Sequence, residues 1–195
     1  MTSRKCWLKP GKQPENWWGS KRTIPGTAPD YSVKGMLLKV KIISFIGRHN
    51  SGKTTLLRRV IEKLRQIGYR VAVIKHTSHV LDTDGEHDSD LLFSAGAEMV
   101  CAVSPALSIH YLRHEREPDL QEIIAQVAGT VDLIITEGYK KETYPKIEVL
   151  RQATGIEFID AENIIARVSD FSIDDDLPCF NFEEIEELCR FIISL

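Results

Sequence analysis

The sequence predicts an α/β fold in three layers, α/β/α, with a mostly parallel central sheet and a small antiparallel excursion. Three observations carry the prediction. From residue 37 onward, short β-branched and aliphatic runs alternate with stretches of helical periodicity, the pattern of repeated βαβ units whose crossover helices cover a sheet. The first run enters the first helix through Gly47-Arg48-His49-Asn50-Ser51-Gly52-Lys53-Thr54, so strand, G-x-x-x-x-G-K-[ST] loop and helix follow in the order of a P-loop NTPase. The chain has 195 residues, 43% hydrophobic and 27% charged, which is enough apolar material for one well-buried domain.

Taken in order, residues 37–46 are aliphatic, β-branched and followed by glycine, as in a buried strand. In the helix after the loop, Leu57, Val60, Ile61, Leu64 and Ile67 recur at helical spacing, with Arg58, Arg59, Glu62 and Lys63 between them and Gly68 placed to end it. Further strands are expected over 70–75, 99–103, 107–112, 131–136, 146–150 and 164–168, the 99–112 pair being the antiparallel excursion. Helices are expected over 88–95, 119–128 and 182–193, the last opened by Asn181 and Glu184 as a capping box.

Two regions differ in composition. Residues 1–35 hold Pro10, Pro14, Pro25 and Pro29, no periodicity and every tryptophan; they are expected to form a flexible N-terminal extension, with the nucleotide-binding domain at 36–195. Seven basic residues against two acidic make the extension +5 and, with an overall charge of −3, leave the domain at −8. An acidic domain is poorly suited to nucleic acid, whose phosphates call for a basic surface. Cys6, Cys101, Cys179 and Cys189 form no C-x-x-C pair, which fits a reducing compartment and small buried side chains. No run approaches the ~18 apolar residues of a membrane span, and the expected location is cytoplasmic.

The loop carries the chemistry. Small residues let successive backbone N–H groups turn toward a β-phosphate, and the helix behind adds its positive end. Lys53 is placed to reach the β- and γ-phosphates, and the Thr54 hydroxyl to bind Mg2+. A second magnesium ligand should come from a neighbouring strand end. Glu137 emerges where the apolar run 131–136 stops, at the carboxyl edge where such sheets keep their ligands. Gly138 beside it would let the backbone approach the γ-phosphate. Asp132, at the opposite end of that strand, reads as a turn residue.

Residues 75–89 are polar, with His76, His79 and His87 among four carboxylates. They fit a nucleotide-responsive switch in which Asp82, Asp84 or Asp88 completes the magnesium shell, a transition-metal site, or a solvated loop in which Asp88 caps a helix. His110 and His114 read as surface histidines.

In their order along the chain, GRHNSGKTT (Gly47 to Thr55), VAVIKHTSH (Val71 to His79), DLIITEGYK (Asp132 to Lys140) and PKIEV (Pro145 to Val149) resemble the molybdopterin-guanine dinucleotide biosynthesis adaptor proteins, MobB, over about residues 38–151. The resemblance implies a dimeric GTP-binding protein with weak GTPase activity. It would assist the molybdenum cofactor guanylyltransferase that attaches GMP to molybdopterin. By position it implies that Lys53 and Glu137 act on the magnesium nucleotide, that Gly47, Arg48, Asn50, Ser51, Gly52, Lys53, Thr54, Thr55 and Gly138 bind it, and that Lys75, His76, Lys140, Lys146 and Glu148 line the neighbouring cleft. The family's basic residues after position 87 are missing from residues 89–97. No N-K-x-D motif marks the base, so guanine comes from the resemblance and ATP stays open. Two other functions compete: a metal-delivery GTPase supported by the histidine-rich loop, and a small-molecule kinase in which Arg113 and Arg116 form a lid. Arg48 reads either as a solvated side chain or as an arginine reaching across a dimer.

Overall fold

A computed structural model describes residues 40–77, 81, 85 and 87–195. The expectations for residues 1–35, for the strand's first residues at 37–39, and for His79, Asp82 and Asp84 lie outside the described residues. The elements are β1 (Lys41–Gly47), α1 (Lys53–Gln66), β2 (Val71–Lys75), α2 (Asp88–Ser94), β3 (Met99–Val103), β4 (Ser108–Leu112), α3 (Leu120–Val127), β5 (Leu133–Glu137), β6 (Lys146–Leu150), β7 (Ile164–Ser169), β8 (Cys179–Phe180) and α4 (Ile185–Ser194). Six strands form one sheet in the order β2-β5-β1-β6-β7-β8, every pair parallel, while β3 and β4 form a separate antiparallel ribbon.

Strand alternation sorts side chains between two layers. Ile43, Phe45, Leu133, Ile135, Ile147, Val149, Ala166 and Val168 face one way and pack with Leu57, Val60 and Leu64 of α1 and Leu188 and Ile192 of α4. On the opposite face, Ile74 and Ile134 meet Leu120 and Ile124 of α3. Helices thus cover both faces of the β5-β1 pair, while on β2 Val73, in register with Ile135, stays 44% exposed.

Toward β6 and β7 the second face is covered differently. Lys146, Glu148 and Arg167 share the parity that points away from α1 and α4, and all three are buried. The extended segment after β6 lies over them: Phe158 stacks on the Arg167 guanidinium at 4.0 Å, and the Ile159 N–H donates to Glu148. Arg167 Nε donates to Glu148 Oε2 at 3.0 Å. Lys146 Nζ donates to the carbonyls of Glu142, Tyr144 and Glu162, the last at 2.8 Å.

Several boundaries move, each for a local reason. The strand expected at 131–136 runs Leu133–Glu137, because Asp132 is engaged by Arg70: its Oδ2 accepts the Arg70 N–H at 2.9 Å and its Oδ1 the guanidinium at 2.7 Å. The Asn181 and Glu184 capping box closes, at 2.7 and 3.1 Å, but a turn ahead of the helix. Arg59 holds that turn through the Phe182 carbonyl and the Glu183 carboxylate, so α4 starts at Ile185 rather than 182. Asp88 is the first residue of α2, not its cap; the Asp90 carboxylate accepts the His87 N–H at 3.3 Å. The two-residue β8 is too short to leave a periodic signal. Cysteine burial is also corrected: Cys189 is buried, its thiol pushed up to about 11 by desolvation, but Cys101 and Cys179 are exposed. No helix among the described residues is long and apolar enough to cross a membrane.

Candidate functional site

The loop between β1 and α1 is shaped by two glycines. At Gly47 a Cβ would lie 2.5 Å from the Val149 carbonyl oxygen and 2.7 Å from Ser51 Oγ, so β1 reaches β6 closely enough only without a side chain. Gly52 takes φ +84° as it enters α1, a left-handed geometry that L side chains resist. Asn50 also has positive φ, 61°, and Ser51 is fully buried. The first helical bond runs from Leu56 N–H to Gly52 O at 2.9 Å, which leaves the N–H groups of Lys53, Thr54 and Thr55 without helical partners. Gly52 has no side chain to cap them, and no acidic residue stands in the first turn. An uncapped helix end behind a turn of amides attracts anions.

Three polar side chains close over the loop with its lysine. Lys53 Nζ donates to the Arg48 carbonyl at 2.6 Å and the Gly47 carbonyl at 3.1 Å. Thr54 Oγ1 donates to Glu137 Oε1 at 2.8 Å, and Lys75 Nζ lies 3.2 Å from Thr54 Oγ1 and 3.1 Å from Glu137 Oε1. Burial lowers the Lys53 ammonium below the ordinary lysine range, with Glu137 opposing the shift and Lys75 adding to it. Glu137 is 7% exposed, so its carboxylate is held in place by these partners. A cleft of about 330 Å³ is lined by His49, Asn50, Gly52, Lys53, Thr54, Thr55, Lys75 and Glu137. The carboxylate and hydroxyl oxygens converge within hydrogen-bond distance of each other, a hard donor pair that suits Mg2+.

Other expected residues fall in several places. The Gly138 N–H donates to the Phe45 carbonyl at 3.0 Å, so an approaching phosphate would meet its Cα face rather than a donor. Arg48 is exposed and its guanidinium is engaged within the chain: Nη2 pairs with Glu157 at 2.8 Å, and Nη1 donates to the Thr154 carbonyl at 3.4 Å. His76 and Lys140 line a second cleft of about 410 Å³ with Glu117, Tyr139 and Lys141, and His76 Nε2 lies 2.8 Å from Glu117 Oε1. Lys75 belongs to the cleft around Lys53 instead, and Lys146 and Glu148 line neither, being enclosed beneath the segment after β6. The lid arginines are occupied: Arg113 stacks on Phe93 at 4.3 Å, and Arg116 pairs with Glu122 at 2.6 Å. His110 and His114 are exposed, and the described residues contain no cluster of three histidine, cysteine or acidic side chains placed to hold a metal.

Arg151 was not among the expected site residues. It packs against the loop itself, since a Cβ on Gly52 would lie 3.1 Å from its Nε, and its guanidinium lies 4.1 Å over the Phe182 ring. The strand-end rule that selects Glu137 selects Arg151 after β6 and Asp170 after β7 equally well.

The chain is similar to known proteins. Residues 42–170 match the family model described as molybdopterin guanine dinucleotide synthesis protein B. The chain is 29% identical over 162 residues to the molybdopterin-guanine dinucleotide biosynthesis adapter protein of Escherichia coli, covering 80% of this chain and 93% of the relative. It is 37% identical over 131 residues to a probable adapter protein of the same name from Bacillus subtilis, covering 64% of this chain and 73% of the relative. Among solved structures, a molybdopterin-guanine biosynthesis protein B superposes with a TM-score of 0.66 at 33% identity, over 78% of this chain and 98% of that one.

Proposed function

This chain belongs to the molybdopterin guanine dinucleotide synthesis protein B family, and on that footing we propose that it is a GTP-binding adaptor in the conversion of molybdopterin to molybdopterin guanine dinucleotide, with slow magnesium-dependent GTPase activity. The convergence of Lys53, Thr54, Lys75 and Glu137 over an uncapped helix end carries the proposal. Lys53 exchanges its loop carbonyls for phosphate oxygens, a charge-assisted contact stronger than the neutral acceptors it leaves. Lys75 adds a second cation on the side of Glu137. Thr54 and Glu137 are the residues that would hold Mg2+, which when bound neutralises charge on the phosphate oxygens.

Slow hydrolysis follows from the surroundings. Glu137 is already shared between Thr54 and Lys75, and Arg48 is engaged by Glu157, so no free arginine in the loop stands ready to stabilise developing charge. The adaptor role accounts for a nucleotide site joined to a second cleft. His76 directly follows Lys75, and Tyr139 stands two residues beyond Glu137, so both clefts are built from the same strand ends. That second cleft is the place for molybdopterin or for the guanylyltransferase.

A homodimer completes the proposal. A two-stranded ribbon is marginally stable by itself. Here β3, β4 and their turn expose Met99, Val103, Leu107, Ile109 and Leu112, with Val103 78% exposed. Isothermal titration with GTP and ATP in the presence of Mg2+, repeated with the purified guanylyltransferase, tests the reading. Saturable GTP binding and a complex with the enzyme are expected; no heat with either nucleotide would end it. Sedimentation equilibrium should give twice the chain mass.

A further inference from the structure

The phosphate cleft has two ends, and its chemistry marks only one. Lys75 and Glu137 come from β2 and β5, on one side of β1, and define the end where the terminal phosphate and magnesium belong. A nucleotide so placed would extend its base away from that end, and the strands on the other side of β1 are β6 and β7. Arg151, the first residue after β6, packs on Gly52 there and presents a flat guanidinium stacked on Phe182. Asp170, the first residue after β7, stands beside it, its Oδ2 3.8 Å from Arg151 Nη1.

Asp170 is the carboxylate of this flank that lies beside Arg151. Glu157 is taken by Arg48, Glu183 by Arg59, and Glu184 by the Asn181 N–H. Asp170 Oδ1 accepts the Gln152 N–H at 2.8 Å, but its Oδ2 has no hydrogen bond within the described residues, and the side chain is 34% exposed. A carboxylate with an oxygen free of hydrogen bonds, next to a planar cation that packs on Gly52 of the cleft, has the chemistry to read a purine edge.

We propose that Asp170 is the residue that selects guanine, its carboxylate accepting the adjacent N1–H and 2-amino donors of the base while the Arg151 guanidinium borders the ring. The two acceptors match guanine's two neighbouring donors. Adenine turns an unprotonated N1 to the same edge and is repelled. This assignment rests on the loop being a nucleoside triphosphate site.

Competition against a fluorescent GTP analogue, with the full chain and Mg2+, tests it. With the unsubstituted protein, inosine triphosphate, which lacks the 2-amino donor, should bind about ten- to a hundredfold more weakly than GTP, and ATP more weakly still. Asp170→Asn keeps a carbonyl oxygen for the Gln152 N–H and gains an amide donor. It should therefore lose GTP and prefer xanthosine triphosphate, which carries an oxygen where guanine has its amino group. Equal affinities for GTP, inosine triphosphate and ATP in the unsubstituted protein would overturn the proposal without any variant having to fold. Loss of GTP in Asp170→Asn with no gain of xanthosine triphosphate would reduce Asp170 to a support for the 152–154 turn. Failure of the unsubstituted protein to bind any triphosphate would instead remove the loop reading, and this assignment with it.

Discussion

The carboxylate of Glu137 closes the end of β5, and that of Glu148 lies in the middle of β6, two strands away across β1. Both are buried, and both stand in segments that resemble the same family. Glu137 faces a hydroxyl and a lysine that can trade partners with an incoming ion or phosphate. Glu148 is 0% exposed, and its oxygens are taken by Arg167 and the Ile159 N–H. A buried carboxylate at the carboxyl edge of a parallel sheet, where the chain leaves it, stands where such sheets keep their ligands, whereas one within the sheet has its partners enclosed with it.

The contrast breaks most visibly at Glu148. Glu148→Ala leaves the buried Arg167 with Asp175 as its remaining ion-pair partner among the described residues and should cost about 3 kcal/mol, read from urea denaturation, while the fraction that folds keeps its GTP affinity. Replacing Glu148 and Arg167 together by methionine should recover most of that loss, since the buried pair is then removed whole and Asp175, which loses Arg167, is 22% exposed and can turn to solvent. A double replacement no more stable than Glu148→Ala would show that the pair does more than satisfy itself.

At the cleft the next effect is on binding. Lys53→Ala should weaken GTP on the order of a hundredfold or more in titration calorimetry, with the melting temperature nearly unchanged, because Lys53 supports no packing beyond its own loop. Unchanged affinity would overturn its assignment. Glu137→Ala should leave triphosphate affinity within about threefold, less than 1 kcal/mol, yet bring phosphate release down to the level without Mg2+. Equal release rates in variant and parent would place the magnesium ligand elsewhere.

The smallest effect sharpens the comparison at a third carboxylate, outside both settings. The Arg70 guanidinium and N–H hold Asp132 at about 2, below its ordinary 3.8. Between those values the unfolded chain binds the extra proton. The stabilisation is therefore complete above about pH 4 and is lost as pH falls through about 2. The difference in urea midpoint between the protein and Asp132→Asn should be constant from pH 7 to 5 and close toward pH 2, and added salt should shrink it. A difference that persists at pH 2 would assign the effect to something other than this ion pair.

Much of this was legible in advance. The βαβ alternation, the loop, Glu137 at a strand end, Asp132 as a turn residue and the separate 99–112 ribbon each follow from a pattern a few residues long. Lys146, Glu148 and Arg151 show where legibility ends. Alternation places Lys146 and Glu148 on one face of β6, but whether that face meets water, a helix or a folded-back segment depends on residues 156–162, which carry no periodic signal. Arg151 stands one residue past a strand, and only the position of α1 beside β6 brings it onto Gly52.

Local chemistry alone determined the turn between β1 and α1, because backbone amides, two glycines and a helix end act within about a dozen residues of chain. Which side chains meet that turn depended on the order of the strands. Thr54 and Glu137 are 83 residues apart and touch because β5 lies beside β1, and β6 and β7 on the other side bring Arg151 and Asp170 to the opposite flank. Strand order is decided by the burial of whole faces, a property of the assembled sheet that no short segment contains.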